Sequence, residues 1–180
     1  MLKQRGLTLV ELMITVAIVA ILMTVGAPGI SSMLQQNQVI ADINNISSVA
    51  RAARFTAVDE GTEVILCPTK DYKKCKNNWK EAKMAFIDEN GNGELDENDI
   101  LIAATEPLSD SNKVKGISGS LVFGPDGSVS KQATIEICPS SKDNKSASAL
   151  LISLYGRLAV ATDSDNNGIK EDADGADLSC

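Results

Sequence analysis

At 180 residues, 43% apolar and 23% charged, the chain is long enough for one globular domain beside a long helix. It contains no histidine, which excludes His-based triads, His zinc sites and His acid–base catalysis. The net charge is −7; residues 1–60 set four cations against four anions, so the whole acidic excess lies in 61–180, a poor electrostatic match for nucleic acid.

The chain is organised around Lys3–Pro28. Lys3 and Arg5 precede Gly6, and the 19 residues from Leu7 to Val25 are apolar apart from Glu11 and small threonines. At about 1.5 Å per residue, that run just crosses a hydrocarbon core of roughly 30 Å. The cationic flank is N-terminal, so that end is expected in the cytoplasm and everything after Pro28 outside. A carboxylate in a membrane helix is expensive, so Glu11 either has a partner or snorkels from a shallow position. Pro28, with Gly26 and Gly29, predicts a bend. Beyond it Ile40, Ile43, Ile46, Val49 (or Ala50) and Ala53 recur every three to four residues. This is an amphipathic stripe suited to lie under a domain, within a helix expected from Leu7 to Ala57.

From Glu63 the period becomes two. Strands are expected at 63–67, 83–88, 100–104, 114–118, 120–124, 134–138, 149–153 and 157–162, separated by Gly, Asp, Asn and Pro turns such as Gly124-Pro125-Asp126-Gly127. That pattern reads as an antiparallel β-rich head over 61–180. Cys67, Cys75, Cys138 and Cys180 all follow the apolar segment, and an even count in an exported domain favours disulfides over free buried thiols. Of the three pairings, Cys67–Cys75 with Cys138–Cys180 is preferred: the first closes a short loop and the second pins the C-terminus onto a strand.

Two acidic runs follow calcium-loop spacing. In the first, Asp88, Asn90, Asn92, Glu94, Asp96 and Asp99 carry oxygens, with Gly93 at the sixth position. Its last ligand is the shorter Asp, and its flanks read as strands, so a solvated hairpin competes with a cation site. The second, Asp163, Asp165, Asn167, Glu171 and Asp174, has Gly168 at the sixth position and Lys170 where an apolar residue is usual. It competes with a flexible tail. No cofactor is required by any other pattern. Trp79 reads as a core anchor, and no nucleophile stands beside a base, so no enzyme is expected.

The short basic leader, Gly6, and Leu7-Thr8-Leu9-Val10-Glu11-Leu12 resemble the type III signal sequence of type IV pilins and pseudopilins. The resemblance implies cleavage after Gly6 by the prepilin peptidase, N-methylation of Leu7, and a role for Glu11, then the fifth residue, in subunit docking. Pro28 stands where pilins often carry a helix-kinking proline. In the head, Cys67-Pro68, Cys75, Trp79, Phe86-Ile87-Asp88, Asn90-Gly91-Asn92-Gly93, Ile137-Cys138, Leu151-Ile152-Ser153 and Gly156-Arg157 are similar to the GspH/FimT family.

The expected fold is therefore α+β and type IV pilin-like. It comprises a leader (1–6), a transmembrane and assembly helix (7–28), an amphipathic helix (29–60) and a two-sheet periplasmic head (61–180). The function implied is a minor pilin that initiates or caps a type IV pilus, held first in the inner membrane by one span and then at the fibre tip. Its partners would be the peptidase, other minor pilins and the major pilin. The alternatives are a minor pseudopilin of type II secretion and a DNA-uptake pilin. The latter is disfavoured because Ala159 stands where DNA-binding members carry the second arginine of Gly-Arg-x-Arg. A further alternative is an exported calcium-binding protein with a conventional signal peptide ending near Ala27.

Overall fold

The computed structural model describes residues 8–180, apart from the side chains of residues 25–29. Gly6 and Leu7 lie outside the described residues, and so does the side chain of Pro28. The chain divides into two units between Leu34 and Gln35. Helix α1 (Leu9–Glu60) contributes to both.

In the first unit, every described side chain from Thr8 to Thr24 is exposed, and nearly all are apolar. Such a stretch has no polar face to give to water. Among the described residues no helix is long and apolar enough to cross a membrane.

In the second unit the helix is amphipathic. Val39, Ile43, Ile46, Ala50, Ala53 and Ala57 are buried at alternating spacings of four and three, with Val49 beside them. Ile40, expected in this stripe, is instead 43% exposed. One residue on from Val39 is about 100° around the helix, which turns Ile40 off the packed face. The helix ends at Gly61, whose φ of +66° suits the left-handed position after a helix, with Thr62 N–H donating back to the Ala57 carbonyl at 3.1 Å.

Eight strands follow: β1 (Val64–Thr69), β2 (Ala82–Ile87), β3 (Ile100–Thr105), β4 (Lys113–Lys115), β5 (Leu121–Phe123), β6 (Ala133–Cys138), β7 (Ser148–Ile152) and β8 (Leu158–Val160). They form two four-stranded antiparallel sheets, ordered β3-β2-β1-β5 and β4-β6-β7-β8. The expected strands at 114–118, 120–124 and 157–162 shrink to three residues each. All three lie at sheet edges, where a strand is paired on one side alone.

One core joins the helix to both sheets. Ile43, Ile46 and Ala50 of α1 meet Leu66, Leu121 and Phe123 of the first sheet and Ile135, Ile137 and Leu150 of the second. Trp79 is buried among them and donates its indole N–H to the Gly119 carbonyl at 2.9 Å. The far face of the first sheet buries Cys67, Met84 and Phe86 under Tyr72, Cys75 and Leu95. The far face of the second buries Ala147, Ala149 and Ala161 under Ile169, Leu178 and Cys180. The 163–180 segment, for which a flexible tail was one expectation, is thus a folded cover. Leu178 is 2% exposed, and its N–H donates to the Lys170 carbonyl at 2.8 Å.

Candidate functional site

The N-terminal end of α1 carries Glu11. Thr8 and Glu11 form a reciprocal cap. The Glu11 carboxylate accepts from the Thr8 N–H (3.1 Å) and hydroxyl (3.0 Å), while the Thr8 hydroxyl accepts from the Glu11 N–H (3.2 Å). The Thr-x-x-Glu spacing of a capping box is present in the sequence and would have found this pairing.

The first acidic loop connects β2 to β3 and is bonded within itself. Asp88 accepts from the N–H groups of Gly91 and Asn92 on one oxygen and of Gly93 on the other. Asp99 accepts from Glu89 and Asp96 N–H, and the amides of Asn90 and Asn92 both donate to Asp96. The Asp96 carboxyl is held below the usual carboxylate range, first by the Asn98 N–H and then by the Asn90 amide. Glu94 is turned away to an ion pair with Lys74 at 2.7 Å. This is the bonding of a hairpin connection whose polar side chains serve the backbone.

The second loop is different. Asp163, Asp165 and Glu171 bring one carboxylate oxygen each to within 4.8 Å of one another. Asp163 accepts from Gly168 N–H on Oδ2 (2.8 Å), and its Oδ1 is buried without a hydrogen-bond partner. Glu171 is 8% exposed and accepts from the N–H groups of Ser164 and Asp165. Asn167 bonds to Asp165 and Asp177, and Asp174 is not among the converging carboxylates.

Two disulfides tie the head, Cys67–Cys75 and Cys138–Cys180, with sequence separations of 8 and 42. The first closes the loop beside β1; the second fastens the C-terminal cover to β6. Glu136 lies beside the second, but both sulfurs there are in the disulfide and offer no thiolate ligand. Gly156 ends a turn at φ +69°, and its N–H donates to the Ser153 carbonyl. Arg157 follows it into the edge strand β8. Arg157 forms no ion pair among the described residues.

The family described as "Type II transport protein GspH" matches residues 42–156, the span of the packed half-helix, the first sheet and most of the second. The chain belongs to this GspH family. Residues 1–27 match the "Prokaryotic N-terminal methylation motif", which takes in Gly6, Leu7 and Glu11. A relative named "Fimbrial protein" from Pseudomonas aeruginosa is 28% identical over 118 residues, covering 63% of this chain and 75% of its own. The crystal structure of the Pseudomonas aeruginosa type IV minor pilin FimU superposes with a TM-score of 0.54 at 17% identity, over 72% of this chain and 92% of that one. The minor pseudopilin EpsH from the type 2 secretion system of Vibrio cholerae gives 0.51 at 13% identity, over 68% and 95%. The pilin-like fold, a long N-terminal helix with two antiparallel sheets, is common to them.

Proposed function

We propose that this chain is a minor pilin that helps initiate or cap a type IV pilus. The observation that carries the reading is the character of α1: apolar and exposed all round at its start, then one-sided where it forms the spine of the head. An all-round apolar helix needs lipid or a bundle of similar helices around it. In this reading the precursor is cleaved after Gly6, methylated on Leu7 and held in the inner membrane by a single span with the head in the periplasm. It then moves into the helix bundle of the fibre beside other minor pilins and the major pilin, with Glu11 docking against a neighbour's N-terminal amine. Mechanism is assembly, not catalysis.

The pseudopilin reading uses the same parts, and the likeness to EpsH supports it. Deletion separates the two: loss of surface pili and twitching favours the pilus, loss of exoprotein release favours secretion. Replacing Glu11 by Ala should leave membrane insertion intact and reduce incorporation into fibres; unchanged incorporation refutes the docking role. Intact mass of the membrane-extracted protein reads processing directly, and a mature chain beginning near Ala27 would sink the whole reading.

Calcium is the cation the acidic loops would take, since a hard divalent ion needs several converging oxygens. The loop from Asp163 supports this better than the loop from Asp88, because its carboxylates converge and one Asp163 oxygen lacks a donor. Calorimetric titration of the full chain in detergent should show binding that Asp163→Asn removes. A flat trace at millimolar calcium overturns the assignment.

A further inference from the structure

The chain has four arginines, and three of them, Arg51, Arg54 and Arg157, line one groove of about 730 Å³. The last turns of α1 form one wall; the turn at Asp126 and the start of β8 form the other. Arg54 is anchored by its Nε–H to the Gly127 carbonyl (2.9 Å), and Arg51 by its Nε–H to the Ser47 hydroxyl (3.1 Å). Neither bond neutralises charge. The two ion pairs among the described residues both use lysines, Lys70 with Glu81 and Lys74 with Glu94, although 24 carboxylates are present. Asp126, the carboxylate in the groove, accepts from the Ser128 N–H and hydroxyl. Apolar surface runs through the same place: Phe55 is 70% exposed and Val58 51%, with Leu154 and Tyr155 exposed beside Gly156.

We propose that this groove receives an acidic segment from the head of a neighbouring subunit, and the inference rests on the minor-pilin reading. Arginine is the cation suited to such a contact, because its planar fork takes a carboxylate through two parallel hydrogen bonds and also stacks on aromatic rings. Exposed aromatic side chains among arginines, beside a polar turn, are the composition of a protein–protein hot spot. A nucleic acid is the poorer occupant. Its affinity grows with the number of phosphates neutralised, and three cations on a chain of net charge −7 supply few.

The test places a photo-crosslinking side chain by Phe55→p-benzoylphenylalanine in the full chain in its own cells, with Ile18→p-benzoylphenylalanine in the apolar helix as control. Irradiation should link position 55 to an acidic segment of another pilin-type subunit. Arg51→Glu with Arg157→Glu should cut that product about five-fold or more, as expected for losing two arginine contacts at an exposed site, whereas Arg51→Lys with Arg157→Lys should retain most of it. Blue-shifted emission from buried Trp79 and intact disulfides verify that each variant is folded. A product insensitive to charge reversal, or one formed with DNA, overturns the groove assignment. So does absence of product at 55 while position 18 still links to pilins. If position 18 links to no pilin, the minor-pilin reading fails and this inference with it.

Discussion

Lys83 lies near the start of β2, an inner strand of the first sheet, with 0% exposure, and its Nζ has no hydrogen-bond partner. The charged groups acting on it are Asp42 of α1, itself held by the Ser109 N–H and the Asn112 amide, and Glu81. Burial outweighs both attractions and lowers the ammonium from 10.5 to about 8. Across that window the unfolded chain binds a proton the folded chain does not, so unfolding free energy rises with pH from about 8 to 10.5 and is at its lowest below 8. At about 1.4 kcal/mol per pH unit, the whole change is about 3 kcal/mol. Urea unfolding of the full chain in detergent, followed by Trp79 emission, should show this rise in the wild type. Lys83→Met keeps the apolar stem and removes the charge, so its stability should lack that component. Parallel pH profiles for the two proteins would refute the argument.

Gly156→Ala should cost at least about 2 kcal/mol, because φ is +69° and a Cβ would run into the Gly127 carbonyl; an unchanged melting temperature would contradict it. Removing the second disulfide by Cys138→Ser with Cys180→Ser frees a loop of separation 42, which the chain-entropy relation values at about 4 kcal/mol. Limited proteolysis should then cut within 163–180 while the sheets survive, and an uncut tail would show that the apolar cover alone suffices.

Much of the fold was legible because its signals are local. The switch from a period of three to four to a period of two near Glu63 marks the passage from helix to sheets, and all eight expected strands are present in order. Ile40 was misplaced because a stripe inferred from apolar residues cannot show which edge of the helix the head covers. The small polar residues of the tail carry no strand signal, so its fold is not legible locally; Ile169 and Leu178 are held against β7, a long-range contact. The arginine groove was invisible for the same reason. Arg51 and Arg157 are about a hundred positions apart, and nothing near either one announces the other. The two acidic loops share their spacing, and only the hydrogen bonds of each show which carboxylates are already engaged.

The Thr8–Glu11 cap bears on how a carboxylate travels among apolar neighbours. Glu11 brings its own donors, a backbone N–H and a hydroxyl from the same turn, wherever the helix goes. Both donors fall on Oε2, which lowers but does not remove the cost of taking a carboxylate out of water. In the proposed role, Oε1 is the oxygen left to accept from a neighbour as the helix passes from lipid into a bundle.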